Sequence, residues 1–441
     1  MSAGRPDDLP ESTPSLEEIE DSFVDGDRPV SRGTALAALR HRPFRIVFLG
    51  AFASNIGTWM QNVVLGAYGY SLTHSSVFVG VLIFAQLGPA LLLSMVGGLV
   101  ADKVDRKRLL IIVSLEQLVF SLILAWVATS SSPSLLTLVI VVVMIGIGNA
   151  LFAPTYSAML PAMVGRDDLP GAISLNSAQM NGSRVIGPAL GGVAYHFLGP
   201  AWVFAGNAVT YLFVIAALLC VALPAAPQRP DGATRWQELM AGVNHARKDY
   251  VVGRCLVTVF IFSLVSLAFI GQLPVVAAMN LHMNPRSTGY GLLYASFGAG
   301  ALLGAISIGT VFARRSKPLI VRVGLVCYSV ALCAFALLRE AAPSFGVIFI
   351  VGLFYFAFIT SLNTVLQSDL ADSIRGRVMA LWIMGFGGTV ALGNLLAGPL
   401  VSHFGVTSVL LFGAATALGL AWFADVRPRS VGGDLPLAAE S

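Results

Sequence analysis

Arg184 and Glu116 are the residues whose type and position most need a chemical explanation, because each lies inside a long apolar segment. A guanidinium at the centre of a membrane helix costs about 2.5–3.5 kcal/mol on insertion scales, so it must meet a partner or a wet cavity. Arg184 stands about thirteen residues into the segment 171–197, which is near mid-depth at a rise of about 1.5 Å per residue. There it either binds an anionic or polar substrate group, alternates with proton load on a carboxylate, or serves a structural role bonded to helix carbonyls beside Pro188. Glu116, about seven residues into the segment 109–129, is either a carboxylate that carries a coupled proton or a hydrogen-bonded structural group. Asn55, Gln61, Asn62, Gln86, Asn176, Gln179 and Asn181 are candidates to line a polar pathway, with Asn55 and Asn62 on one helical face. Trp59, Phe84 and Trp382 are candidates for an aromatic lining.

Other chemistries find no support in the residue pattern. No Gly-x-x-x-x-Gly-Lys-Ser/Thr loop is present, so ATP hydrolysis is not expected. The six His residues do not cluster, and Cys220, Cys255, Cys327 and Cys333 sit in or beside apolar segments without metal-ligand spacing. No cofactor, metal or enzymatic activity is therefore expected.

The elements that position these residues follow from composition. Only 11% of the 441 residues are charged and 56% are hydrophobic, too little charge to coat a soluble globule. Apolar segments occur at about 44–70, 77–100, 109–129, 134–160, 171–197 and 201–223, and again at about 253–280, 287–312, 318–338, 344–367, 375–402 and 407–425. The reading is an all-α membrane protein with twelve transmembrane helices in two six-helix bundles. Residues 1–43 form a disordered cytoplasmic tail with one short helix possible at the capping-box spacing Ser15–Glu18. Residues 44–223 form the N-terminal bundle, 224–252 a cytoplasmic linker with an amphipathic helix, 253–426 the C-terminal bundle and 427–441 a second cytoplasmic tail.

Cationic residues support this topology by falling in alternate short loops: Lys103, Arg106, Lys107 and Arg108, then Arg166, then Arg247 and Lys248, then Arg314, Arg315 and Lys317, then Arg375 and Arg377. Both termini are expected in the cytoplasm. The formal charge of +4 is dispersed in those loops, which argues against nucleic acid as a partner. A shift of 206 residues lays Gly187 on Gly393, Gly192 on Gly398 and Gly199 on Gly405, as a repeat of two six-helix units requires.

Three groups of residues carry a resemblance. In the loop after the second segment, Gly98-x-x-x-Asp102-Lys103-x-Asp105-Arg106-Lys107 resembles the loop signature of the major facilitator superfamily, with Asp105 where the family usually has a second Gly. An Asp side chain folded onto its own backbone is expected to make that turn. In the fifth segment, Gly187-Pro188-Ala189-Leu190-Gly191-Gly192 resembles the motif of superfamily antiporters, which implies export. Asn55 to Asn62, Phe84 to Pro89, Ala153 to Pro161 and Asn176 to Gly192 resemble the enterobactin exporter and macrolide efflux branch. The resemblance makes Gly98, Asp102, Arg106, Lys107, Asp369 and Arg377 a candidate conformational latch, with Asp372 and Arg375 in the same charge network.

The expected protein is a secondary transporter in the cell membrane that exports a small amphipathic molecule by alternating access, with protons as the coupling ion and the monomer as the working unit. An uptake or lipid-flipping permease of the same fold, or a membrane receptor that transports nothing, are the alternatives.

Overall fold

The computed structural model describes residues 34–222, 235–368, 370 and 372–426, and the spacing noted at Ser15–Glu18 lies outside them. Among the described residues every regular element is helical. A short α1 (Ala35–Arg40) precedes α2 (Arg42–Thr73), α3 (Ser76–Lys103), α4 (Arg106–Val127), α5 (Leu135–Val164), α6 (Leu169–Leu198) and α7 (Pro200–Leu219). The linker helix α8 (Arg235–Lys248) leads to α9 (Tyr250–Ile261), α10 (Leu273–Met279), α11 (Thr288–Gly309), α12 (Lys317–Leu337), α13 (Ala341–Ser368), α14 (Asp372–Ile383), α15 (Thr389–Phe404) and α16 (Val406–Phe423). Nine helical segments among the described residues are long and apolar enough to cross a membrane, and Ser76–Leu91 adds a shorter apolar one. The helices α2 and α6 have the length, at 32 and 30 residues, but are less apolar because they carry most of the polar candidates.

Local chemistry explains where the helices start and stop. Asp105 caps α4, its carboxylate accepting the Arg108 N–H at 2.8 Å, which is the side-chain turn expected where a Gly is usual. The helices α6 and α15 end on Gly199 and Gly405, with φ of 85° and 82°, a backbone that favours glycine. Those two glycines coincide under the 206-residue shift, and each passes directly into the next helix.

Two segments expected to be continuous are interrupted. Between α9 and α10 the chain makes a π turn at Phe262–Ser266 and a 3₁₀ turn at Leu267–Ile270. Pro274, near the start of α10, has no N–H to continue the ladder back to Ile270. Between α14 and α15 a π turn spans Met384–Gly388, a stretch with three glycines in five residues.

The early helices meet the late ones most extensively at α6 on α11 and at α3 on α15. At the first, a Cβ added to Gly192 would stand 2.5 Å from the Gly291 Cα, so both positions require glycine for the backbones to touch. At the second, Ser76 Oγ donates to the Gly398 carbonyl at 2.8 Å. Gly192 and Gly398 are partners under the 206-residue shift, so the repeat detected in sequence marks both seams. Both contacts sit at the end of the molecule where α2 turns into α3, opposite the loops rich in Lys and Arg.

Replacing Gly192 with Val should therefore force α6 off α11, costing about 1–3 kcal/mol as overpacking does. Thermal melting reads the loss. Cysteines placed at His196 and Arg286, whose imidazole Nδ1 and carbonyl now lie 3.3 Å apart, should cross-link less in that variant.

Candidate functional site

Pro188 lies inside α6 and cannot donate to the carbonyl four residues back, that of Arg184. Gly298 of α11 packs against this freed carbonyl, a Cβ there falling 2.5 Å from the oxygen. Gly187 seats the same helix on α2, where a Cβ would come 2.5 Å from that of Trp59. Gly191 lies against the backbone of Met60. The helix-breaking motif thus packs α6 tightly on two neighbours and holds Arg184, the sixteenth of its 30 residues, beside a central cavity of about 280 Å³.

Arg184, Trp59, Asn62 and Gln86 line one side of this cavity. The Gln86 amide donates to Asn62 Oδ1, tying α3 to α2 at the wall. Tyr294, Phe297, Tyr355, Phe356, Phe386 and Asn394 line the other side. The interruptions in the late helices supply Leu267, Ile270, Gly271 and Gly387 to the wall. The Arg184 guanidinium carbon lies 5.3 Å from the ring centroid of Trp59 and 5.3 Å from that of Phe356. Its Nε is buried without a hydrogen-bond partner, and no carboxylate pairs with it among the described residues.

A second polar region lies within the early helices. Gln61 Oε1 accepts from Asn207 Nδ2 at 2.9 Å and from Ser121 Oγ at 3.2 Å. Asn207 Nδ2 also reaches the Tyr211 hydroxyl at 3.4 Å, and that hydroxyl lies 3.3 Å from Thr58 Oγ1. Glu116 is close enough to act electrostatically on Tyr211 and rests against Gly148 of α5. Both of its carboxyl oxygens are buried and, among the described residues, have no hydrogen-bond partner. Among the described residues, then, neither the Arg184 Nε nor the Glu116 carboxyl group has a hydrogen-bond partner.

The family model for transmembrane secretion effectors matches residues 33–431, nearly the whole chain. The chain belongs to this family of the major facilitator superfamily. It is 26% identical over 365 residues to the staphyloferrin A transporter of Staphylococcus aureus, covering 81% of this chain and 89% of that protein. It is 28% identical over 384 residues to the enterobactin exporter EntS of Citrobacter koseri, covering 84% and 90%. Among solved structures, a mutant of the nucleoside transporter NupG superposes with a TM-score of 0.70 at 13% identity, covering 87% of this chain and 99% of that one. A bacterial homologue of the lysosomal transporter Spinster gives 0.66 at 15% identity, covering 87% and 95%. The protein is thus an all-helical, multi-pass membrane transporter and not an enzyme.

In this secretion effector, Arg184, Asn62, Gln86 and Trp59 come together at the cavity, whereas Asn55, Gln61, Asn176 and Asn181 are not among its lining residues. Gln61 is 1% exposed and faces the other way, into the Asn207 network. Asn181 donates to the Ser177 carbonyl one turn back at 2.9 Å. Phe84 and Trp382 are also absent from the lining, Trp382 being buried beside Phe386. Of the latch candidates, Arg106 donates to the Ala158 carbonyl at 2.8 Å and Lys107 to that of Val221 at 2.6 Å, contacts that brace the early helices against one another. Gly98 and Asp102 fall on α3 where side chains are not described, and Asp369 lies outside the described residues. The Arg377 carbonyl packs against Gly242 of the linker helix. The aromatic wall of Tyr294, Tyr355 and Phe356 was missed, because in a chain with 26 Phe nothing local separates a lining ring from a packing one.

Replacing Gln61 with Leu strands the Asn207 amide and the Ser121 hydroxyl and should destabilise the protein by about 1–3 kcal/mol. Because Gln61 does not line the cavity, substrate affinity should stay within about twofold. Thermal unfolding and ligand titration on the same sample check both parts.

Proposed function

We propose that this transporter exports a siderophore-like small molecule by alternating access, in exchange for protons. The observation that carries the substrate site is the central cavity walled by both sets of helices, with a guanidinium on it that pairs with no carboxylate among the described residues. Export is favoured by the Gly187–Gly192 motif, and the chemical class by the relatives: one is named a transporter of staphyloferrin A, the other an exporter of enterobactin. Both termini and the basic loops lie on the cytoplasmic side of the cell membrane, as the excess of Lys and Arg there favours. The two seams at Gly192 and Gly398 then close the outer side, so this conformation is the one that loads from the cytoplasm. A single chain contains the whole cavity, and the monomer is the working unit.

Glu116 is the proposed proton carrier. Among the described residues its buried carboxyl oxygens have no hydrogen-bond donor, so exchanging a proton there requires the early helices to rearrange and admit water. Its neighbour Tyr211 bonds Thr58, one residue from Trp59 of the cavity wall, so a rearrangement at Glu116 reaches the substrate site through α2.

In everted vesicles containing the purified protein, enterobactin or staphyloferrin A should collapse an imposed pH gradient. An unresponsive gradient across siderophores and lipophilic drugs removes proton-coupled efflux of these classes. Glu116→Gln should still bind substrate but lose the gradient collapse and show a flat transport profile between roughly pH 6 and 8. An unchanged pH dependence in that variant excludes Glu116 as the carrier.

A further inference from the structure

We infer that the cavity recognises an aromatic ring bearing an ionised oxygen group, a carboxylate or a phenolate, either as a free molecule or as one arm of a larger one. This deepens the reading of the cavity as the substrate site and rests on it.

The charge requirement comes from Arg184. Its Nε is buried and unpartnered, and no acid stands beside it among the described residues. Two ring faces at 5.3 Å offset part of the cost of burying the cation without supplying any hydrogen-bond acceptor. A planar guanidinium with free N–H groups matches the two oxygens of a carboxylate, or adjacent oxygens on a ring. The neighbouring polar atoms have the same bias. Tyr294 and Tyr355 line the cavity within electrostatic reach of Arg184, and their hydroxyls can donate to an anion. Asn62 and Gln86 already bond one another. A cationic substrate would meet a fixed positive charge and, among the described lining residues, no carboxylate.

The ring requirement comes from the walls. Trp59, Tyr294, Phe297, Tyr355, Phe356 and Phe386 converge from four helical segments on a space of about 280 Å³, just below the ~300–1,000 Å³ of typical ligand pockets. That space suits one ring with its acidic group. Phe297 and Tyr355 already stack at 5.8 Å, offering a flat face next to the cation. An aryl anion satisfies Arg184 and the rings together, which an aliphatic polyacid or a neutral arene does only by half.

The test uses full-length protein in nanodiscs, titrated calorimetrically with benzoate, cyclohexanecarboxylate, benzyl alcohol and benzylamine. Benzoate should bind saturably and at least about tenfold more tightly than each of the others. Arg184→Gln should weaken benzoate at least about tenfold. Because removing a buried Arg can disturb folding, Phe356→Leu serves as the second variant: it should weaken benzoate several-fold and leave cyclohexanecarboxylate unchanged. 4-Nitrophenolate, ionised at about pH 8 where an ordinary phenol of pKa about 10 is not, is added as a further probe and separates phenolate from carboxylate recognition. The inference is overturned by benzylamine or benzyl alcohol binding as well as benzoate, by equal binding of the cyclohexane acid, by indifference to both substitutions, or by no saturation up to roughly 10 mM benzoate. Siderophore-driven collapse of the vesicle pH gradient without benzoate binding leaves the transport reading standing and removes only the ligand class. Selective benzoate binding without any gradient collapse does the reverse.

Discussion

The missing N–H of Pro188 leaves the Arg184 carbonyl without its helical donor, and α11 lays Gly298 against that oxygen. Two turns further along both helices Gly192 meets Gly291, so α6 and α11 run backbone on backbone over this distance. The seam fixes the height at which the early and late helices part, and the guanidinium of Arg184 lies just where they do. Without a Cβ at those glycines the helices approach closely enough to close one end. A side chain at either would hold them apart and the cavity would lose its roof. The seam between α3 and α15 repeats the arrangement on the other side with Ser76 and Gly398, which is why a 206-residue repeat has structural force.

Polar and aromatic chemistry are divided between the two sets of helices. The early helices contribute Arg184, Asn62 and Gln86, and the late ones contribute most of the rings. Glu116 is not among the residues that line the cavity and does not pair with the arginine. The helix α2 belongs to both regions: Trp59 and Asn62 face the cavity, while Thr58 and Gln61, one residue before each, face the Asn207 and Tyr211 network. Three-residue spacing puts each pair on its own side of the helix. A helix polar on two faces is less apolar than a typical span, which accounts for α2 falling below the hydropathy of its neighbours.

That two-sidedness also explains what the residue pattern could and could not reveal. Helix positions were legible because a span needs a long apolar run, and the bounds of α6 at Leu169–Leu198 lie within two residues of the segment read from composition. The Asp105 cap was legible because its chemistry is local to one turn. Gln61 and Asn62 are adjacent, equally polar and equally deep, yet only the second reaches the cavity, since the choice depends on which neighbour covers each face. Tyr294 and Tyr355 become informative only when α11 and α13 bring them to one arginine. The interruption before α10 had a signal in Gly271 and Pro274, but an apolar run of the right length concealed it.

Arg184 is flanked by one ring from each set of helices, Trp59 of α2 and Phe356 of α13. A rocking motion that opens the Gly192 seam must move those rings relative to one another, so the guanidinium cannot keep both contacts and forfeits roughly 0.5–2 kcal/mol. An anion bound to Arg184 changes that balance, because it supplies the acceptor that the rings lack and reduces what their departure costs. A ligand that interacts differently with two conformations shifts their populations by that difference. On the proposed reading, loading the cavity thereby lowers the cost of leaving the closed-seam conformation, and the residue proposed to recognise the substrate is the same one whose environment the motion alters.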